Sequence, residues 1–264
     1  MNNYFDLDGV NWSSLKLLDV SALAYKHALD NGRKDTPSMA MGRVTHTLVF
    51  EPELFGDEYA IWDGGRRGTN AYKEFALEHE GKTIFKPSEL EVAKAMAAAV
   101  RRHPLVQPYL DGGIFEHVIR WTESEFGIDC KAKIDWLRQE KKHLIDLKTA
   151  ESINERRFAY AAAKYGYHGQ MAHYSDGVEK SLGWKPEKVV LVVVEKKPPY
   201  DVGVFVLDPD TALYAGEEMR RDLLKRLVEC REKDEWPGRY NEEQDLELPG
   251  WAFGDDPEEV PLAD

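Results

Sequence analysis

The chain has 264 residues, 42% of them apolar, with seven Trp and twelve Tyr, enough for a folded core and too aromatic for general disorder. It opens on Met1-Asn2-Asn3-Tyr4-Phe5-Asp6 and holds no apolar run of membrane-spanning length, so neither a signal peptide nor a transmembrane helix is expected and the reading is cytoplasmic. The net charge of −13 counts against nucleic-acid binding, but from Asn241 onward there are nine Asp/Glu and no Lys/Arg, which leaves the body only about four units negative.

Apolar Leu15, Leu18, Ala22 and Tyr25 recur at helical spacing and predict a helix over Ser13 to Asn31, capped by Ser13 or Ser14. A second helix is expected from Pro37 to about Phe50, stopped by Glu51-Pro52. Trp62 to Asn70 reads as a loop, in which Arg66 and Arg67 are either phosphate contacts or ordinary solvent residues. Ala71 to Glu80 reads as a short helix and Pro87 to His103 as an alanine-rich one with Ser88 as its cap. Gly81-Lys82-Thr83 lacks the upstream glycine of a phosphate loop, whose place falls on Ala76.

Three strand-like runs follow, Ile114 to Thr122, Phe126 to Leu137 and His143 to Thr149, with connections short enough for an antiparallel meander. Alternation in the second run places Lys131, Lys133 and Asp135 on one face and Ala132, Ile134 and Trp136 on the other. Helices are expected over Ser152 to Lys164 and Tyr167 to Leu182. Val189 to Val194 reads as a strand buried on both faces with Val202 to Leu207 beside it, and Pro209 to Lys233 as a long helix. The organisation is one domain over 1–235, made of a mainly helical part (1–105), a sheet core (114–207) and a C-terminal helix (209–233). An acidic extension (236–264) follows, whose Trp251 and Phe253 suggest docking on the body or on a partner.

The chemistry gathers at Asp146-Leu147-Lys148, where a two-residue period puts a carboxylate and an ammonium on one strand face. Asp135 lies eleven residues upstream. Paired carboxylates holding a divalent cation, with a lysine beside them, are what metal-assisted phosphodiester hydrolysis requires. A surface ion pair has the same sequence, so the surroundings decide. Asp135 sits near the end of one strand, so a bend or an offset is expected to bring it beside Asp146. His46 on the second helix and Glu116 at the start of the meander are the other candidates. Two cysteines, Cys130 and Cys230, are too few for a four-cysteine zinc or iron–sulfur site.

In order along the chain, Met41-Gly42-Arg43-Val44-Thr45-His46, Phe115-Glu116, Cys130-Lys131-Ala132-Lys133-Ile134-Asp135, Ile145-Asp146-Leu147-Lys148-Thr149 and Gln170-x-x-x-Tyr174 resemble the PD-(D/E)xK nuclease core. They are most similar to the RecE and phage-exonuclease branch of the RecB-like group. The resemblance implies an α/β fold, a mixed central sheet flanked by helices with an N-terminal helical region. It implies Mg²⁺ or Mn²⁺ held by His46, Asp135, Asp146 and the Leu147 carbonyl, with Lys148 as catalytic lysine. Gln170 and Tyr174 would position DNA or the lysine. Lys133 stands where the family often has arginine, keeping charge but losing a planar fork. Glu123 and Glu125 are close alternatives to Glu116.

The implied activity is a metal-dependent exonuclease that degrades linear duplex DNA from its ends, 5′ to 3′, for phage-type recombination in a bacterial host. It would act as a trimeric or tetrameric ring, with a single-strand annealing protein as partner. Alternatives are another PD-(D/E)xK endonuclease of repair or restriction, or a non-catalytic DNA-binding or assembly protein.

Overall fold

The computed structural model describes residues 4–33, 35–248 and 250–253. Its centre is a five-stranded mixed sheet of β3 (Ile114–Glu123), β4 (Ile128–Arg138), β5 (His143–Ala150), β6 (Lys188–Glu195) and β7 (Val202–Val206), in that spatial order. β3, β4 and β5 form the expected meander, β6 joins β5 in parallel and β7 closes the sheet antiparallel to β6. β1 (Tyr59–Ile61) and β2 (Thr83–Phe85) form a small separate parallel pair.

Helices cover both faces of the sheet. On one lie α1 (Trp12–Leu15), α2 (Leu17–Val20), α3 (Ala22–Asn31), α9 (Glu155–Lys164), α10 (Tyr167–Leu182) and α11 (Tyr214–Lys233), packed on Val189, Leu191 and Val193. On the other lie α4 (Pro37–Phe50), α7 (Pro87–Arg102) and α8 (Gln107–Leu110), packed on Val190, Val192 and Val194. α5 (Phe55–Glu58) and α6 (Asn70–Glu78) complete this side of the chain around the small pair. Alternate valines of β6 thus enter two different cores, as the uninterrupted apolar run requires of a strand buried on both faces. Among the described residues no helix is long and apolar enough to cross a membrane.

The boundaries correct several expectations. The helix expected over Ser13 to Asn31 is three pieces. Ser21 is extended, and its hydroxyl accepts the Ala24 N–H to restart the chain as α3, while Asn11 rather than Ser13 or Ser14 caps α1. Ser and Asn compete for backbone donors in this way, which makes them helix starters rather than interior residues. Ser88 does not cap α7, because Glu89 reaches back to the Lys86 N–H at 2.7 Å. α9 starts at Glu155, capped by Asn154, later than Ser152. Pro209–Leu213 is a wider first turn before α11.

Alternation in β4 fails at one place. Ala132 and Ile134 enter the α10-side core, but Trp136 enters the opposite one with Ile145 and Leu147. Opposite this point Glu116 has φ +51°, and the β3–β4 ladder skips from His117↔Ile134 to Phe115↔Trp136. A left-handed non-glycine residue interrupts the pleat, so the residues on either side of Asp135 face different layers.

Candidate active site

β4 and β5 pair only over Trp136–Arg138 and His143–Ile145, and then separate. Val10 takes the place β5 has left, bridging Asp129 and Lys131 of β4. One step beyond the last pair, Trp136↔Ile145, Asp135 stands opposite Asp146. No offset is needed, because each lies three residues from the turn. Asp135 Oδ2 accepts the Leu147 N–H at 2.9 Å. From the far layer, His46 of α4 places Nε2 2.8 Å from the Leu147 carbonyl oxygen. A carbonyl only accepts, so Nε2 carries the proton and the lone pair on Nδ1 faces Asp135 Oδ2 at 3.4 Å.

On the α10 side, Asp146 is fully buried, with Oδ1 accepting from Gln170 Nε2 at 3.2 Å. The same amide nitrogen donates to the Tyr174 hydroxyl at 2.9 Å. Lys148 Nζ stands 2.5 Å from Asp146 Oδ2, in an orientation that leaves that oxygen without a hydrogen bond. The ammonium also lies 4.9 Å from the centroid of the Tyr167 ring, a cation–π contact that holds the lysine against α10. Gly169, beside Gln170, leaves room for the Trp12 indole; a Cβ there would lie 2.2 Å from it.

Glu116 completes the group. Its left-handed backbone turns the side chain inward, where Oε2 meets Lys133 Nζ at 2.5 Å. His46, Glu116 and Asp135 offer ligand atoms that all lie within 4.8 Å of one another. Burial, then the charge of Asp146, pushes Asp135 up to about 8, and burial and Asp135 raise Glu116. Burial lowers His46 and keeps its imidazole neutral. Lys148 is raised: burial works against its charge, but Asp146 and Asp135 outweigh it. One imidazole nitrogen and several carboxylate oxygens crowded at high cost are a donor set suited to a hard divalent cation.

Thus His46, Glu116, Asp135, Asp146, the Leu147 carbonyl, Lys148, Lys133, Gln170 and Tyr174 come together. Glu123 and Glu125 do not: they pair with Lys180 and Arg220, and with Arg221. Arg67 is spent on a bidentate pair with Glu89 and on the Ile84 carbonyl, while Arg66 is an exposed loop residue. Lys131 is buried and donates to the carbonyls of Tyr4 and Leu7, tying down the N-terminal segment. His173 is packed against Trp121 at 4.8 Å, where burial pulls it down to about 3. Sequence reasoning missed Tyr167, whose only signal is its place one turn before Gln170. It also missed the ion cluster of Glu123, Asp176, Lys180 and Arg220, whose members are scattered over ninety-seven residues. Phe253 is 72% exposed and does not dock on the body, and Trp251 and the end of the acidic tail lie outside the described side chains. Trp236, at the start of the extension, stacks on Tyr25 with 5.7 Å between ring centres.

Residues 11–246 match the family described as PDDEXK-like domain of unknown function (DUF3799). Among solved structures, a putative exonuclease from Eubacterium rectale is similar, with a TM-score of 0.63, 16% identity and 91% of each chain covered. A phage-related exonuclease from Haemophilus somnus is similar over 88% of this chain and 99% of its own, at 13% identity, with a TM-score of 0.40. No curated protein matches the chain in sequence.

Proposed function

Since this chain belongs to the family of PDDEXK-like domains, we propose that it is a metal-dependent deoxyribonuclease, an exonuclease that degrades linear duplex DNA from its ends in the 5′ to 3′ direction. One observation carries the reading: His46, Glu116 and Asp135 bring ligand atoms within 4.8 Å of one another where β4 and β5 part, with Asp146 and Lys148 paired on β5 beside them. A surface ion pair requires neither the burial nor the third and fourth acidic or imidazole groups. A non-catalytic descendant would gain nothing from keeping them at this cost.

Mg²⁺ or Mn²⁺ would be held by Asp135, Asp146, Glu116 and His46 together with the Leu147 carbonyl. Bound there, the cation would acidify water and offset the charge that builds on the scissile phosphate. Lys148 holds a proton at Nζ, beside Asp146, and places the attacking oxygen. Gln170, fixed by Tyr174, keeps Asp146 from rotating away. Lys133 neutralises Glu116 and faces the substrate side of the same group. By resemblance we extend the proposal to a trimeric or tetrameric ring working with a single-strand annealing protein in phage-type recombination. A light-scattering mass of one chain would remove the ring.

The test is digestion of end-labelled linear duplex DNA with and without Mg²⁺, beside a supercoiled circle. The expected result is Mg²⁺-dependent loss of the linear DNA and an intact circle. Cutting of the circle would instead make the enzyme an endonuclease, and no cleavage of either would remove catalysis.

A further inference from the structure

Four residues after β5, α9 leaves the catalytic strand and carries Arg156, Tyr160 and Lys164 at four-residue spacing, hence along one stripe of the helix. All three are exposed, Tyr160 to 51%. Among the described residues none of Arg156, Arg157 and Lys164 has a carboxylate partner, although the chain as a whole carries thirteen excess negative charges. These cations are therefore unspent, against the general charge of the chain.

The stripe runs into the site. Lys164 Nζ lies 5.8 Å from the ring centre of Tyr165, which is 45% exposed. That ring is 5.9 Å from Tyr167, which in turn lies under Lys148. From the N-terminal helices, Lys16 donates to the Tyr165 carbonyl at 3.4 Å. Burial, then the charges of Lys148 and Arg33, pulls Lys16 down to about 8.

Cations alone would suit any polyanion. The two exposed phenol rings are more selective, because a base offers its face to a ring only after it has left the duplex stack. We infer that Arg156, Tyr160, Lys164, Tyr165 and Lys16 form a track for an unpaired DNA strand, with bases stacked on the two tyrosines and phosphates beside the cations, leading to Lys148. The choice of DNA and the direction of travel rest on the proposed function; the track itself rests on the surface.

The full chain is tested in EDTA, where cleavage cannot interfere, by fluorescence anisotropy with fluorescein-labelled dT20 over a salt titration. Tyr160→Ala with Tyr165→Ala is expected to raise Kd at least tenfold. Arg156→Gln with Lys164→Gln is expected to lower the slope of log K against log salt by about 1.4, at about 0.7 per phosphate contact on a single strand. Lys225→Gln, on the outer face of α11, is the control and should match the parent chain. The inference requires both changes; a parent chain without affinity for dT20, an unchanged Kd in the tyrosine pair, or an unchanged slope in the cation pair overturns it. Binding of dT20 with no cleavage of duplex ends would remove the nuclease reading and leave the track. Cleavage with dT20 binding indifferent to these substitutions would do the reverse.

Discussion

Two charged clusters sit on this sheet, and they are built on opposite accounts. At the end of β3, Glu123 and Asp176 meet Lys180 and Arg220, two carboxylates against two cations, with the Trp121 indole donating to Asp176 at 2.9 Å. Burial alone would raise Glu123, but hydrogen bonds from Lys180 and Arg220 outweigh it and hold the carboxyl down to about 2. At the β4–β5 gap, Glu116, Asp135 and Asp146 meet Lys133 and Lys148, with a neutral His46 between them. There the carboxylates exceed the cations, and Asp135 is pushed up to about 8. The same residue types give a closed structural joint in one place and an unbalanced, cation-seeking centre in the other. Charge balance within hydrogen-bonding reach sets Glu123 apart from Asp135, although burial raises Asp176 within the joint as well.

The comparison can be broken in several ways. The largest expected effect is on catalysis: Lys148→Ala should cut cleavage of end-labelled duplex by on the order of 10³-fold or more, with circular dichroism unchanged. Full activity in that variant would remove the lysine from the mechanism. Next, Arg220→Met strands Glu123 and Asp176 without their shared cation. It should cost about 3–5 kcal/mol in urea unfolding, while cleavage per folded molecule persists.

Two carboxyls, Glu123 in one cluster and Asp135 in the other, should also respond to pH with opposite sign. The folded pKa of Glu123 is depressed, so its contribution is present above the unfolded value near 4.5 and lost as pH falls toward 2. The folded pKa of Asp135 is raised, so its contribution is full below the unfolded value near 3.8 and lost as pH rises through about 8. In EDTA, Asp135→Asn should therefore melt several degrees above the parent at pH 9, by roughly what 1 kcal/mol shifts a domain of this size. The gap should close toward pH 4. Glu123→Gln should flatten the acid limb of urea midpoints and leave the alkaline limb alone. Parallel pH curves for the two variants would contradict the contrast. The smallest effect is expected at Arg67→Ala, which breaks an exposed pair with Glu89: less than about 1 kcal/mol of stability and cleavage within about twofold of the parent chain.

Much of this site was legible in the sequence, and the rest was hidden for identifiable reasons. Asp146 and Lys148 follow from a period of two, and their contact at 2.5 Å is what that period implies. The facing of Asp135 and Asp146 was also written in the sequence, as equal distances from the turn, once Arg138 is paired with His143. The early separation of β4 from β5 was not, because it depends on Val10 arriving from the other end of the fold. Nor was the inward turn of Glu116, since a positive φ at a glutamate has no signature in composition. Val189 to Val194 announced a doubly buried strand through continuity alone. The first helix was misread because a three- and four-residue apolar spacing survives interruption by a capping serine: Leu15, Leu18, Ala22 and Tyr25 still share one core.

The link between His46 and Leu147 spans 101 residues and therefore has a place in time as well as in space. During synthesis α4 leaves the ribosome first, and at about 5–20 residues per second it waits roughly 5–20 s for its partner strand. The N-terminal helices wait longer still: Leu18 accepts from Arg226, 208 residues later, and Leu23 donates to Pro237. A nascent chain thus carries the acidic residues and the histidine for some time without the assembled centre. Whatever chemistry the centre performs is withheld until β5 has followed α4 out of the ribosome by about a hundred residues.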